Sequence, residues 1–171
     1  NIIFDGKKDI PKSLREKISN DVERKGRVLK KILSYATNKN NKILVFCGSV
    51  KEAEFIAKVI QHFDYNIFSI TEGTSSSRRQ WLIEEFKKES SEVQILTNYG
   101  VLTTGFDAPK TNIAIITRPI SSVVLYNQIV GRVARGKKAG GNETCTVVNV
   151  VDKGYGFRDL SESFLFWDDI W

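Results

Sequence analysis

The chain has 171 residues, 41% hydrophobic and 27% charged, with a formal net charge of +6. That is one domain's length with enough apolar side chain for a full core, which excludes a disordered linker or a fibrous repeat. Two cysteines, Cys47 and Cys145, are too few for a disulfide framework or a zinc cluster, and no apolar run reaches the length of a membrane span.

The first residues, Asn1-Ile2-Ile3-Phe4, lack the basic start of a secretory signal. With no initial Met, the chain is expected to be cut from something longer or to follow a removed tag. Each cysteine lies in an apolar run, so buried thiols in a reducing, cytoplasmic setting are expected. Charge is uneven: the first forty residues hold eleven Lys/Arg and five Asp/Glu, a balance of +6, and the last twenty hold five acids and two bases, a balance of −3. A basic flank of this kind fits a polyanionic partner on one side.

In chain order, residues 1–12 read as an irregular lead ending at Pro11. Apolar positions from Leu14 and Ile18 through Val22, Val28, Leu29, Ile32 and Leu33 then predict a helix over 12–35 with a weak spot around Gly26. Residues 42–47 form a short apolar run that reads as a buried strand. Ser49 is placed to cap the next helix, with Glu52 completing a capping box, and that helix runs to about Phe63. A second strand is expected at 66–70, a loop at 71–76, a helix carrying Trp81, Leu82, Ile83 and Phe86, and a third strand at 93–97. A Gly- and Thr-rich segment, 98–109, leads to a fourth strand at 113–117. Ser121-Ser122 can cap a helix through Val124, Tyr126 and Ile129, and a fifth strand is expected at 144–151. The tail from Asp152 is aromatic enough to pack on this or another domain.

Strands alternate with helices, and the strands are continuously apolar, so the fold class is α/β with a mainly parallel sheet flanked by helices. Ligands of such sheets bind beyond the carboxyl ends of the strands, where Gly48-Ser49, Glu72-Gly73-Thr74, Thr97-Asn98 and Arg118-Pro119 all fall.

Two segments carry chemistry. In the run from Gln128 to Gly136, Arg132 lies four residues after Gln128 and Arg135 three further on, so all three share one helical face. Gly131 removes a side chain beside the first arginine, and guanidinium forks suit phosphate oxygens. A solvated basic helix end is the bland alternative. In the segment from Thr97 to Pro109, Gly105 permits close backbone approach, Asp107 can accept from a ribose hydroxyl, and Thr97 and Thr104 offer hydroxyls to phosphates. Here the bland alternative is a loop in which Asp107 caps a turn.

Taken in order, Phe46-Cys47-Gly48-Ser49, then Gly73 with Arg79 and Phe86, then Thr104-Gly105-Phe106-Asp107-Ala108-Pro109, then Gln128-x-x-Gly131-Arg132-x-x-Arg135 resemble the C-terminal RecA-like domain of superfamily 2 helicases and translocases. The resemblance covers residues 28–151. It implies a RecA-like three-layer domain, preceded by a helical lead at 1–27 and followed by the tail at 152–171. It further implies that Arg132, Arg135 and Gln128 act on ATP held by a partner domain, that Gly105 and Asp107 contact the nucleotide, and that Ser49, Thr97 and Thr104 hold the nucleic-acid backbone. Arg79 is expected to pair with Glu84 or Glu85 instead.

The arginine run starts with Gln128 rather than the His-Arg of DEAD-box RNA helicases, Ala134 stands where those have Gly, and the segment before Gly105 is longer than theirs, which leans the resemblance toward the DNA helicase, repair and restriction-type branch. The chain has no Gly-x-x-x-x-Gly-Lys-Ser/Thr loop and no Asp-Glu-x-His/Asp box. ATP and Mg²⁺ are therefore expected on an N-terminal RecA-like domain of the same parent, with DNA as the nucleic-acid partner. A non-catalytic binding module and an RNA helicase domain are the rival readings.

Overall fold

Lys42–Phe46 forms strand β1, in which no side chain has a wet face. Only the centre of a parallel sheet covered on both sides gives that pattern. The computed structural model describes residues 10–101, 110–133, 136 and 140–152. Around β1 lie β2 (Asn66–Ile70), β3 (Gln94–Asn98), β4 (Ile113–Ile116) and β5 (Thr146–Asn149), in the order β2-β3-β1-β4-β5. All four ladders are parallel, with Ile43 opposite both Ile95 and Ile113.

Strand side chains alternate between two cores. Ile43, Val45 and Cys47 of β1 meet Val28, Ile32 and Ala36 of helix α2 (Val22–Ala36) and Ala53, Ile56 and Ile60 of α3 (Val50–His62). Leu44 and Phe46 point the other way, onto Leu82 and Phe86 of α4 (Ser76–Lys87) and Tyr126, Ile129, Val130 and Val133 of α5 (Val123–Val133). This is the expected three-layer α/β architecture. The central strands β1, β3 and β4 are buried throughout because helices cover both faces of the sheet there, whereas the edge strands β2 and β5 are half-buried.

The helix expected over 12–35 is two helices, α1 (Lys12–Ser19) and α2. The break falls at Asn20-Asp21, not near Gly26. Asp21 takes an extended conformation and its carboxylate accepts from the Arg24 N–H at 2.7 Å, so a side-chain cap starts a new helix where the spacing reads as continuous. Val22, counted in the apolar stripe, is 80% exposed. The expected boundary after residue 27 lies inside α2. The tail beyond Asp152 and the lead before Ile10 fall outside the described residues.

Candidate nucleic-acid and nucleotide interface

Parallel strands deliver their carboxyl ends to one edge, and the loops there are shaped by side chains buried beneath them. After β1 the chain turns at Gly48. A Cβ at Gly48 would lie 1.9 Å from Ser19 Oγ and 3.1 Å from Pro119 Cδ, so glycine lets α1 and the loop after β4 close on this turn. Ser49 follows as the N-cap of α3, its Oγ accepting from the Glu52 N–H at 3.0 Å. The Glu52 carboxylate reaches past Ser49 and takes the Gly48 N–H at 2.7 Å. The cap and its glutamate are thus the pair expected, with the return bond one residue earlier than a capping box places it.

Glu52 does more than cap. Its Oε1 accepts from Arg24 Nη1 at 2.8 Å, and its Oε2 lies 3.0 Å from Thr117 Oγ1. Arg24 also donates through Nε to Asp152 Oδ1 at 2.8 Å, through Nη2 to Asp152 Oδ2 at 3.1 Å, and through Nη2 to the Thr117 carbonyl. One buried cluster therefore ties the start of α2, the loop after β1, the end of β4 and the chain after β5. Burial pushes the Glu52 carboxyl above its ordinary range, opposed by the Arg24 charge, the Gly48 N–H and the Thr117 hydroxyl. Burial would lower Arg24, but its bonds to Asp152 and Glu52 outweigh that and hold it above its ordinary value. The sequence reading missed this cluster. Its one local signal was Arg24 itself, four residues before Val28 and hence on the buried stripe of α2.

The site residues expected from sequence fall into three groups. Ser49 is at the edge, but it is 2% exposed, and its hydroxyl serves the cap and Asn20 Oδ1, 3.3 Å away. Its backbone N–H, at the N-cap of α3, is the group it can turn to a phosphate. Thr97 is fully buried in β3, its hydroxyl within 3.3 Å of the Ala53 carbonyl and 3.4 Å of the Phe68 carbonyl. The expectation that Thr97 offers a hydroxyl to nucleic acid is corrected by this placement: the hydroxyl satisfies backbone inside the fold. Thr104, Gly105, Asp107 and Arg135 lie outside the described residues.

Gln128 and Gly131 lie on the exposed face of α5, opposite Tyr126, Ile129, Val130 and Val133. Nothing stands within 4 Å of where a Cβ at Gly131 would be, so the helix surface there is open. Position 132 continues the same helix, one turn after Gln128. Ser122 starts α5, its hydroxyl accepting from the Leu125 N–H at 3.4 Å, as the Ser121-Ser122 pair leads one to expect. Arg79 departs from expectation. It donates to the Thr74 carbonyl at 3.2 Å, while Glu84 and Glu85 pair with Lys87 and Lys88. Among the described residues no three His, Cys, Asp or Glu side chains stand together as metal ligands.

Comparison with known proteins agrees with this frame. The family model described as "Helicase conserved C-terminal domain" matches residues 8–137. The ATP-dependent RNA helicase DBP2 of Gibberella zeae is 25% identical over 146 residues, covering 82% of this chain and 24% of the relative, so the chain spans about a quarter of its length. Among solved structures, the Mss116p DEAD-box helicase domain 2 bound to an RNA duplex superposes with a TM-score of 0.65 at 22% identity, covering 83% of this chain and 56% of that one. The Hef helicase domain of Pyrococcus furiosus gives 0.56 at 22% identity, covering 91% and 30%. These structural likenesses carry the fold. The curated relatives bear the names of RNA helicases, so the lean toward a DNA repair or restriction branch finds no support in them. With the family model matching most of its length, the chain belongs to the helicase conserved C-terminal domain family.

Proposed function

We propose that this chain is the second motor domain of an ATP-dependent RNA helicase, facing across a cleft a RecA-like domain that holds ATP and Mg²⁺. The observation that carries the reading is α5: four apolar residues anchor one face to the sheet, leaving Gln128 and the open surface at Gly131 free on the other. A phosphate can approach that surface without displacing a side chain, which is the fit that a triphosphate in trans requires. Arg132 and Arg135 then supply guanidinium donors to the γ-phosphate, and Gln128 an amide to the attacking water. A finger of this kind contributes roughly 10³–10⁵ in rate by neutralising charge that grows in the transition state. Gly105 and Asp107 meet the nucleotide, Asp107 near the ribose. ATP supplies the phosphoryl group whose hydrolysis lets the cleft reopen.

The nucleic-acid grip rests on backbone more than on hydroxyls. The Ser49 N–H, at the mouth of α3, and Thr104 hold phosphates, contacts that carry no sequence information. RNA is favoured over DNA because the curated relatives are named as RNA helicases. The test is equilibrium binding of the 171-residue chain to matched single-stranded RNA and DNA 12-mers over a salt series, with ATP hydrolysis measured in parallel. Weak binding whose logarithm falls with log salt, RNA held at least as tightly as DNA, and negligible hydrolysis are expected. Turnover of ATP by the pure chain, or no salt-dependent binding, would contradict the reading.

A further inference from the structure

At the open end of the sheet, β2 is flanked by α3 on one face and α4 on the other. Between the helices runs a groove of about 670 Å³, whose walls include Gln61, Ser69, Thr74, Ser75, Arg78 and Trp81. No acidic side chain lines it, and α4 has none in its first turn. Trp81 is 47% exposed, with the Arg78 guanidinium carbon 4.3 Å from its ring centroid. A large aromatic left half in water needs a reason, and this one is already stacked under a cation.

The groove also offers unspent donors. The Ile70 carbonyl accepts from the Tyr99 N–H, so Ile70 presents its backbone to β3. Alternation then turns the N–H groups of Ile67 and Ser69 off the open edge. Ser69 Oγ is shielded and has no partner among the described residues. The groove opens at Gly73, Thr74 and Ser75, after the carboxyl end of β2. That places its mouth on the same edge as the Ser49 loop, two strands or about 10 Å away at the usual strand spacing.

We infer that this groove is a second seat for single-stranded RNA, in which a base stacks against the Trp81–Arg78 pair and the adjoining phosphate lies at the start of α4 beside the Thr74 and Ser75 hydroxyls. The inference rests on the RNA-binding reading above and extends the strand's path from the Ser49 loop to the edge of the sheet. A lining with the Arg78 cation and no acid, together with the continuity with that edge, favours a nucleic-acid strand over an extended peptide added to β2. Stacking is tolerant of base identity, so the seat adds affinity without sequence preference.

The experiment is fluorescence anisotropy of a labelled single-stranded oligouridine 12-mer with the full 171-residue chain and its Trp81→Ala, Trp81→Phe and Arg78→Ala variants. Thermal melts of each variant accompany the titrations, and the half-exposed positions leave the melts unchanged. Trp81→Ala is expected to weaken binding about 5- to 150-fold. Trp81→Phe keeps most of the affinity, and Arg78→Ala weakens it while lowering the salt slope by about one. If the unchanged chain binds and Trp81→Ala binds equally well with the same slope, this seat is wrong, the groove is left to a peptide strand, and the RNA-binding reading stands. If the unchanged chain does not bind at all, both fall together.

Discussion

Arg24 and Glu52 meet at 2.8 Å with side chains only 4% and 0% exposed, one from the first turn of α2 and the other from the first turn of α3. Asp152 closes the other side of the guanidinium. A buried pair of this kind is weak evidence of net stabilisation, but removing one partner strands the other charge. Glu52→Ala is expected to cost about 3–5 kcal/mol in urea unfolding, because the Gly48 N–H loses its acceptor and the buried Arg24 guanidinium keeps only Asp152 as a carboxylate partner. Replacing both partners by apolar residues recovers little, since Asp152 and the Gly48 N–H remain unpaired.

The same residue gives a pH test. Burial raises the Glu52 carboxyl in the folded state, so the folded chain holds that proton more tightly than the unfolded one. The stability from the neutral form is complete below the ordinary carboxylate range and is lost as pH rises through the folded value. Glu52→Gln fixes a neutral side chain, so its deficit against the unchanged chain is expected to shrink as pH rises out of the acid range. Unfolding curves at a series of pH values check this, and a deficit that widens with pH would contradict it.

Gly48 and Gly100 are expected to answer substitution differently. At Gly48 a methyl group would lie 1.9 Å from the Oγ and 3.1 Å from the Cβ of the fully buried Ser19. At Gly100 the nearest atom is the Glu72 carboxylate, 54% exposed and free to swing away, so the cost there comes from the backbone, at φ +74. Gly100→Ala should cost about 1–2 kcal/mol and Gly48→Ala about 1–3 kcal/mol. Only the second is relieved by Ser19→Ala, which removes a buried hydroxyl that has no partner among the described residues. A double-mutant cycle by thermal unfolding reads the difference.

Both cysteines should be slow to react. Burial pushes the Cys145 thiol up to about 11 and raises Cys47, which is fully enclosed, well above its ordinary value. At pH 8 the Cys145 thiolate is on the order of one part in a thousand, so alkylation should be slow and rise about tenfold per pH unit toward pH 10. Mass spectrometry after timed alkylation should show Cys145 modified before Cys47, and both modified quickly once urea unfolds the chain.

The strands were legible because a two-faced sheet leaves no polar phase: β2 has the bounds expected from sequence, and β1, β3 and β4 differ by a residue. Ser49 was legible as a cap because capping is local. Thr97 was misread because a threonine at the end of an apolar strand looks the same whether its hydroxyl faces a ligand or, as here, the Ala53 carbonyl. The cluster of Arg24, Glu52 and Asp152 was not legible, since its members are 28 and 128 residues apart and no local pattern brings them together. The groove beside β2 was hidden for a related reason. Trp81 reads as core on a helix with Leu82 and Phe86, and only the sheet order puts it at an open edge.

The proposed function turns on Arg132 and Arg135 acting on a nucleotide held elsewhere. The most direct measurement is the RNA-stimulated ATPase rate of the proposed two-domain RNA helicase, beside its Arg132→Ala and Arg135→Ala variants, with ATP affinity measured separately. Arg135→Ala is expected to lower the stimulated rate by about 10³-fold or more with ATP affinity largely kept, and Arg132→Ala to fall in the same direction. A full stimulated rate in both variants would contradict it and leave this domain as a nucleic-acid grip without a catalytic part.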